Sequence, residues 1–452
     1  MTSFWAEHVW LPTGLARGVR LVVADGRFLA VETKANRGPD DVRLRGVVFP
    51  GMVNAHSHVF QRALRGRTQS DGDNGVAWRA KVHDIAQRLN PDLYLALARA
   101  TFAEMALAGF TTVGEFHYLH HGPGGSPYAD PNAMSSALVK AASEVGIRLT
   151  LLDTLYLRGG LTSEGHLPLE GVQERFSDGS VDTWAERMSR VEQTELLRHG
   201  AAIHSIRAVP KEQAAYAAQV AGERPLHAYV SEHPAENLAC EMFYGQSPTE
   251  LFAEAGVLGP EFTAVHATAL SESDLDLLAD TECQVVACPT SERDMAGGVP
   301  HALRLLDAGL PVGIGSDHQA FIDPWLELRE LEMHERSHSG ERGRISTAEL
   351  VKCGSLHGAR SLGWYDTGAI APGLLADFVT VDLESLRTAG SKAAEVLYTA
   401  NAADVLTVVV GGRMIVEDGQ HSFGPIAPLM SEALFMLRDS GCSRTYSGEH
   451  SR

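Results

Sequence analysis

Eight short apolar runs, most of them separated by longer segments of helical character, constrain the fold of this chain more than any other feature of its sequence. Short apolar runs are typical of buried strands, and their alternation with helices is the repeat of a parallel sheet. Eight such repeats predict an α/β fold built on a (β/α)8 barrel. The runs lie at 47–56, 111–116, 148–154, 201–206, 225–230, 263–268, 284–289 and 311–317.

The two ends of the chain have a different pattern, of strands joined by tight turns. VRLVVADGRFLAVET places Asp25-Gly26 between two apolar runs, and VLTVVVGGRMIVEDG does the same with Gly411-Gly412. Such turns predict hairpins. Each end is too small to bury a sheet alone, so both termini are predicted to build one small β-sandwich. The predicted boundaries are 1–48 and 372–424 for the β-sandwich, 49–371 for the barrel, and 425–452 for a polar C-terminal extension that is mobile at its end.

The composition argues against several classes of function. The formal net charge of −19, from 38 basic and 57 acidic residues, makes nucleic acid and anionic membranes poor partners. No apolar run is long enough to span a membrane, and the first residues do not have the pattern of a secretory signal. Five cysteines without a C-x-x-C motif favour a reducing compartment. We therefore expect a cytoplasmic protein.

Polar side chains stand where most of the predicted barrel strands end. In barrels of this class the active site lies at the carboxyl ends of the strands. The sequence therefore predicts that these side chains share one site. They are His56 and His58 at the end of the first run, Glu115 and Tyr118 at the end of the second, His204 and Arg207 at the end of the fourth, His227 in the fifth and Glu232 just after it, His266 in the sixth and Asp317 at the end of the eighth.

His56 and His58 are two residues apart, so on a strand both imidazoles point the same way. With Asp317 as a carboxylate they form a ligand set that suits zinc, and Asp317 could also take a proton from bound water. The alternatives are a pair of hydrogen-bonded loop histidines and, for Asp317, a helix N-cap. Asp323, directly before Pro324, is better placed for that cap. The context favours one zinc ion per chain.

Two further residues are candidates for proton transfer and charge stabilisation. Glu232 is a candidate general acid/base that moves a proton to a leaving nitrogen; its alternative is a solvated loop glutamate. His266 is a candidate hydrogen-bond partner of the hydroxide or of the tetrahedral intermediate; its alternative is a core histidine with its hydrogen bonds satisfied.

Several segments resemble those of a known family. FPGMVNAHSH, HATAL, GIGSD and GLLADFVTVD are typical of the amidohydrolase superfamily. HSHVFQRALRG, MALAGFTTVGEFHYLHHGPGG, PYADPNAM, AAIHSIRAVP and CPTSERDMAGG resemble the formimidoylglutamate deiminases of bacterial histidine degradation, and the similarity runs from about residue 5 to residue 420. The resemblance implies a metal-dependent hydrolase that converts N-formimidoyl-L-glutamate and water into N-formyl-L-glutamate and ammonia. It also implies a homodimer.

The resemblance also implies which residues hold the substrate. Gln61 would face the formimidoyl group. The two carboxylates would be held by Arg79, Tyr118, His204 and Arg207. Arginine binds carboxylate bidentately, and two arginines would give an acidic chain a local attraction for a dicarboxylate. The alternative for both arginines is a surface ion pair.

This chain departs from the family pattern at one metal ligand. The fifth strand of the family reads H-x-H-x-x-E, whereas here Tyr229 stands at the second histidine. His227 cannot replace it, because two residues along a strand span about 6.6 Å. Ala269 stands where the family usually has histidine, and His318-Gln319 follows Asp317 in place of Ser-His.

Three interpretations of this departure stay open. Tyr229 ligates as phenolate, the metal is held by the other ligands with different help, or the site is crippled. In the last case the protein is a paralogue with another role. The functions that stay open are the deiminase, a related amidohydrolase with another substrate, and a non-catalytic relative that binds a dicarboxylate.

Overall fold

Strands and helices alternate along the structure, a computed structural model that describes residues 1–69, 76–299 and 301–440. The strands are β1 (Thr2–Leu11), β2 (Gly14–Ala24), β3 (Arg27–Glu32), β4 (Val42–Pro50), β5 (Met52–Ser57), β6 (Phe110–His117), β7 (Arg148–Leu155), β8 (Gly160–Thr162), β9 (Gly165–Leu167), β10 (Leu197–Ser205), β11 (Leu226–Val230), β12 (Phe262–His266), β13 (Gln284–Ala287), β14 (Val312–Ile314), β15 (Phe378–Val381), β16 (Val405–Val410), β17 (Arg413–Glu417) and β18 (Gln420–His421). The helices are α1 (Val76–Arg88), α2 (Pro91–Ala108), α3 (Ala133–Val145), α4 (Val181–Met188), α5 (Lys211–Ala221), α6 (Pro234–Tyr244), α7 (Pro248–Glu254), α8 (Glu272–Asp280), α9 (Pro289–Asp294), α10 (Ala302–Asp307), α11 (Pro324–Ser339), α12 (Thr347–Lys352), α13 (Gly358–Ser361) and α14 (Ile426–Asp439). A π-helical turn, Cys353–His357, joins α12 to α13.

Eight parallel strands form the barrel that the eight apolar runs predict. Their order is β5-β6-β7-β10-β11-β12-β13-β14, and each neighbouring pair is parallel. The ring closes through a parallel bridge between Ser57 and Asp317. The Asp317 N–H donates to the His56 carbonyl at 3.0 Å, and the His58 N–H donates to the Asp317 carbonyl at 3.0 Å. The closure therefore holds Asp317 beside the two histidines.

The first predicted strand divides into two at Pro50-Gly51. Before this point β4 pairs with β1 and β15 outside the barrel, and after it β5 enters the barrel. A side chain at Gly51 would meet Thr111 Oγ1 at 2.2 Å, so the turn needs glycine for a close approach. The change of sheet lies within a few residues of the predicted boundary between 48 and 49, and the domain boundaries stay predictions.

Strands from both termini form the second sheet, as predicted. Its order is β18-β17-β16-β15-β4-β1-β2-β3, one continuous ladder with its own apolar core. The hairpins turn where the sequence predicts, since Asp25, Gly26, Gly411 and Gly412 all have positive φ.

The segment after residue 424 differs from the prediction. Residues of α14 pack against α2 through a buried stripe, Ile426, Met430, Ala433 and Leu437. This spacing is that of one helix face, so the expectation of a polar extension is wrong over α14. The predicted mobile end falls in 441–452, outside the described residues. Across the described ranges, no helix has both the length and the apolar character that crossing a membrane requires.

Candidate active site

The carboxyl ends of the barrel strands carry an unusual concentration of strained backbone. Ser231, His266, Ala267, Asp317 and Gln319 all have positive φ, between 42° and 70°. Residues with side chains avoid this region unless the surrounding structure imposes it, and such strain concentrates at functional sites. The strand ends after β11, β12 and β14 are therefore held in place for the side chains that they present.

His56, His58 and Asp317 come together as the sequence predicts. Asp317 Oδ1 lies 3.4 Å from the Nε2 atoms of both histidines. Neighbouring ligands of a tetrahedral zinc ion lie about 3.4 Å apart when the bonds are about 2.1 Å. The His58 Nδ1–H donates to the Phe116 carbonyl at 2.9 Å, so Nε2 keeps its lone pair. Asp317 is therefore placed to share a metal ion with either histidine, and the N-cap alternative for Asp317 fails because Asp323 caps α11.

Tyr229 does not fit the remaining ligand position. Its hydroxyl oxygen lies 2.5 Å from His58 Nε2 and 3.2 Å from His56 Nε2. The first distance is that of a strong hydrogen bond and is shorter than the separation between two ligands of one metal ion. Burial raises the pKa of Tyr229 well above its usual value, and the charges of Asp317 and Glu232 raise it further. Tyr229 is therefore a neutral phenol that donates to His58.

His266 lies against the same cluster from the next strand. Its Nδ1 bonds to Glu292 Oε1 at 3.0 Å, and its ring stacks on Tyr229 with centroids 5.2 Å apart. Burial alone would lower the pKa of His266, but the Glu292 hydrogen bond and the charges of Asp317 and Glu232 raise it to about 9. Within the described ranges, one ligand atom each from His56, His266 and Asp317 lie within 4.8 Å of one another. Sequence reasoning missed Glu292, although it lies just after the seventh strand in CPTSERD.

Glu232 is paired with the arginine that was predicted to bind substrate. Arg207 Nη2 donates to Glu232 Oε2 at 2.7 Å, and Arg207 Nε lies 3.4 Å from Glu236 Oε1. Burial would raise the pKa of Glu232, but Arg207 together with His233 and His266 lowers it. Glu232 is therefore a carboxylate rather than a carboxylic acid. Sequence reasoning missed Glu236, which lies four residues later, on α6.

Three other predicted substrate residues, Gln61, Tyr118 and His204, lie next to one another at the site. The Gln61 amide donates to the Tyr118 hydroxyl at 3.0 Å, and the rings of Tyr118 and His204 lie 5.6 Å apart. His204 also lies 5.3 Å from the Tyr229 ring. Gln61, Tyr118 and His204 thus form one wall that reaches the metal-type donors.

Arg79 stands apart from this wall but acts on it electrostatically. It lies on α1 with an exposed side chain. Burial raises the pKa of Tyr156, and the charges of Arg207 and then Arg79 oppose that rise. Tyr156, whose ring is 4.7 Å from that of His204, was missed by sequence reasoning.

His318 and Gln319, which depart from the family pattern after Asp317, each contact other side chains. The Gln319 amide donates to Ser57 Oγ at 2.9 Å, and Ser57 Oγ donates to Glu115 Oε2 at 2.7 Å. Burial raises the pKa of Glu115 to about 8. The His318 ring lies 5.8 Å from that of Trp78. Gln319 therefore ties the loop that carries Asp317 to the strand that carries the two histidines.

His227, beside the departure at Tyr229, and Ala269, at a departure of its own, both have structural contacts. His227 Nε2 lies 2.7 Å from the Ser361 carbonyl, so His227 is engaged away from the metal-type donors. The Ala269 N–H donates to the Ser231 carbonyl, and its own carbonyl accepts from the Asn237 amide at 2.8 Å.

Comparison with known proteins agrees with this architecture. The profile of the Amidohydrolase family matches residues 47–415. Formimidoylglutamate deiminase of Pseudomonas aeruginosa is 32% identical over 441 residues, which cover 93% of this chain and 96% of that protein. The crystal structure of an amidohydrolase from Brucella melitensis superposes with a TM-score of 0.88 at 29% identity, covering 97% of this chain and 100% of that one. An adenosine deaminase from Xanthomonas campestris with bound zinc has the same fold, with a TM-score of 0.83 at 22% identity over 98% of each chain.

Proposed function

The chain belongs to the amidohydrolase family of hydrolases, and from this premise we propose that it hydrolyses a formimidoyl C–N bond on a small dicarboxylate. The substrate is N-formimidoyl-L-glutamate. Water adds to the formimidoyl carbon, the bond from that carbon to the terminal nitrogen breaks, and the products are N-formyl-L-glutamate and ammonia. This reaction belongs to histidine degradation, and the protein acts in the cytoplasm.

One observation supports the proposal: the residues that can bind an anion lie within a few ångströms of the residues that can activate water. His204 is 5.3 Å from Tyr229 by ring centroids, and Tyr229 contacts both His56 and His58. The guanidinium of Arg207 lies on the His204 side of the site, and charge-assisted hydrogen bonds from arginine suit a carboxylate. A dicarboxylate held at this wall would present its other end to Asp317.

Each residue of the site has its own role in this reaction. Arg79 attracts the anionic substrate, and Arg207 exchanges one of its carboxylate partners for a substrate carboxylate. Gln61 orients the formimidoyl group with its amide. Asp317 accepts one proton of the attacking water, and Glu232, a carboxylate freed from Arg207 by the substrate, takes up the other and delivers it to the leaving nitrogen; both protons end on that nitrogen, which departs as ammonia.

A metal ion is the cofactor that this family implies. His56, His58 and Asp317 would hold it, and zinc suits such donors. When bound, it supplies Lewis acidity that makes water a better nucleophile at neutral pH.

The test is ammonia release from formimidoylglutamate by the zinc-loaded protein, with Asp317→Ala beside the unchanged chain. We expect release by the unchanged chain and loss of at least about tenfold in kcat, or about 1.4 kcal/mol of barrier, in the variant. Circular dichroism would check that the variant keeps its fold. A variant that keeps more than about a tenth of the unchanged kcat would exclude Asp317 from the chemistry, and no release by the unchanged chain would overturn the substrate.

A second function is favoured by the phenol of Tyr229. Because Tyr229 donates to the lone pair of His58, the chain is also a candidate for a relative that binds a dicarboxylate without turnover. Thermal stabilisation by formylglutamate, with no ammonia released from formimidoylglutamate, would support this second function.

A further inference from the structure

A second group of metal-type donors lies at the amino end of the last barrel strand, away from the candidate active site. Glu349, Cys353 and His357 each bring one donor atom, and the carboxylate oxygen, sulfur and imidazole nitrogen all lie within 4.8 Å of one another. His357 Nδ1 lies 3.2 Å from the carbonyl oxygen of Val312, the first residue of β14. Asp317 follows the other end of that strand, so the two groups of donors lie at opposite ends of β14.

The helix that carries Glu349, Cys353 and His357 brings them to one face. They are four residues apart, on α12 and the π-helical turn that follows it. In a regular α-helix each step of four residues advances about 40° around the axis, so three such residues drift away from a common line. A π turn, with hydrogen bonds from i to i+5, has more residues per turn and therefore offsets this drift between Cys353 and His357. Such turns inside helices are frequent at functional sites.

The imidazole of His357 presents a lone pair to the carboxylate of Glu349. A carbonyl oxygen only accepts hydrogen bonds, so the contact with Val312 places the ring proton on Nδ1 and leaves Nε2 as an acceptor. Nε2 faces Glu349 Oε1 at 3.8 Å, which is too long for a hydrogen bond. Two acceptors at this distance suit a shared metal ion better than a shared proton, because the ligands of a tetrahedral zinc ion lie about 3.4 Å apart.

The carboxylate and the thiol are available to the same ion. Lys352 Nζ donates to Glu349 Oε2 at 2.8 Å, which leaves Oε1 for the space beside His357. Cys353 is fully buried and forms no disulfide. A thiol becomes a metal ligand by losing its proton to solvent, and the thiolate that results selects soft ions of the zinc type over magnesium or calcium.

A cavity of about 420 Å³ opens to solvent beside these donors. Glu349 and His357 line it, so an ion and its water can reach them from outside. The rest of the wall is partly apolar and comes from α10, from the segment that leads into β14 and from the residues before α12: Leu303, Leu306, Leu310, Pro311 and Ile345. Three protein ligands with one open side leave a fourth position for water.

We propose that Glu349, Cys353 and His357 form a second metal site, for a thiophilic divalent cation of the zinc type. Its ligands are a carboxylate oxygen, a thiolate and an imidazole, with water from the cavity in the fourth position. His357 also contacts the start of β14, so the ion ties α12 to the barrel and has a stabilising role. This site is independent of the proposed function, because its donors lie at the end of β14 away from Asp317.

The experiment is a Co²⁺ titration of the metal-free protein, followed by thiolate-to-cobalt charge-transfer absorbance in the near ultraviolet. Co²⁺ binds the same nitrogen and sulfur donors as zinc, and this absorbance requires a bound thiolate. His56, His58 and Asp317 include no sulfur, so cobalt held by them does not produce it. We expect the band in the unchanged chain and in Asp317→Ala, and we expect Cys353→Ser to abolish it.

Cys288 offers a matched control for the thiolate. It is also fully buried, but its sulfur lies near His266 and Glu292 at the carboxyl ends of the barrel strands. Cys288→Ser should keep the band, with cobalt affinity within about threefold of the unchanged chain. A band that is lost in Cys288→Ser and kept in Cys353→Ser would place the thiolate at the candidate active site and overturn the proposal.

Two further variants decide the proposal even if Cys353→Ser does not fold. The side chains of His357 and Glu349 are 11% and 29% exposed, and His357→Gln keeps a donor for the Val312 carbonyl. His357→Gln and Glu349→Gln should each weaken cobalt binding at least about tenfold, with the fold checked by circular dichroism. Lys352→Gln, the control beside them, should leave the affinity unchanged or raise it, because it removes a positive charge near the ion.

The remaining outcomes would overturn the proposal. They are no thiolate band in the unchanged chain at millimolar cobalt, affinities within about threefold of the unchanged chain in both His357→Gln and Glu349→Gln, and a loss in Lys352→Gln as large as that in Glu349→Gln. Ammonia release from formimidoylglutamate tests the proposed function separately, since neither result depends on the other.

Discussion

Two arginines of this barrel each face two carboxylates, and the two networks differ in how completely they are closed. Arg187 on α4 binds Asp153 and Asp178 with four hydrogen bonds of 2.7–2.8 Å, and its side chain is 3% exposed. Arg207 has one bond of 2.7 Å to Glu232 and a longer contact to Glu236, and its side chain is 25% exposed. We call the network of Arg187, Asp153 and Asp178 the closed network, and that of Arg207, Glu232 and Glu236 the open network.

The difference separates a structural role from a binding role. In the closed network Trp184 and His121 also bond to the carboxylates, at 3.0 Å each, so no position is left for a ligand. In the open network Arg207 has one short hydrogen bond to a carboxylate, and its side chain is 25% exposed. An arginine with two carboxylate partners can therefore stabilise the packing of two elements against each other, or it can remain available to bind the carboxylate of a ligand.

Removing the arginine of the closed network should have the largest effect. Arg187→Met leaves Asp153 and Asp178 buried without their counter-charge, so we expect the free energy of unfolding to fall by about 3–5 kcal/mol. Arg207→Met, in the partly exposed network, should cost less than Arg187→Met. Urea unfolding followed by circular dichroism measures both.

A control keeps this prediction decidable if Arg187→Met does not fold. The triple variant with Asp153→Asn and Asp178→Asn removes the stranded charges and should regain part of the lost stability. Equal losses for the two arginine variants would mean that exposure does not distinguish the two networks.

The open network is instead expected to affect the affinity for a carboxylate ligand. Arg207→Ala removes a charge-assisted hydrogen bond, so formylglutamate should bind about 1.5–3 kcal/mol more weakly. Calorimetry would compare formylglutamate with the same ligand carrying an amidated α-carboxylate. If both ligands lose affinity equally, or neither does, Arg207 does not bind that carboxylate.

The two networks also show what a sequence encodes. The ends of strands were predictable because apolar runs mark them, and this placed His56 and Asp317 in one site from residues 261 positions apart. The closed network was not predicted, because Arg187 lies 34 residues from Asp153 on another element and nothing local marks the pair. Glu292, 26 residues after His266, was missed for the same reason.

The spacing of apolar residues also predicts only some of the elements. Apolar runs of strand length gave the barrel, but the buried stripe of α14 has helical spacing and is visible only when that spacing is sought. At the site itself, the sequence showed that Tyr229 replaces a histidine. Only the structure shows that its hydroxyl reaches both His56 and His58.

The smallest expected effect is the opposite pH dependence of Asp178 in the closed network and Glu236 in the open network. In the closed network burial would raise the pKa of Asp178, but Arg187 and His121 lower it below its ordinary value. Its contribution to stability is therefore present above about pH 4 and is lost as the pH falls. In the open network burial raises the pKa of Glu236, with Arg207 opposing and Glu232 adding to the rise. Glu236 therefore costs stability as the pH rises above its ordinary pKa.

Uncharged variants of Asp178 and Glu236 should reveal the opposite signs of their contributions to the pH dependence of stability. Between pH 5 and pH 3 the unfolding free energy of Asp178→Asn should fall less steeply than that of the unchanged chain, by up to about 1.4 kcal/mol per pH unit, the value for one proton. Glu236→Gln should gain stability relative to the unchanged chain between pH 4 and pH 7, by a smaller amount because Arg207 already offsets part of the cost. Urea unfolding across this pH range measures both slopes. Slopes of the same sign would mean that Glu236, like Asp178, is stabilised as a carboxylate, and that the open network is closed in solution.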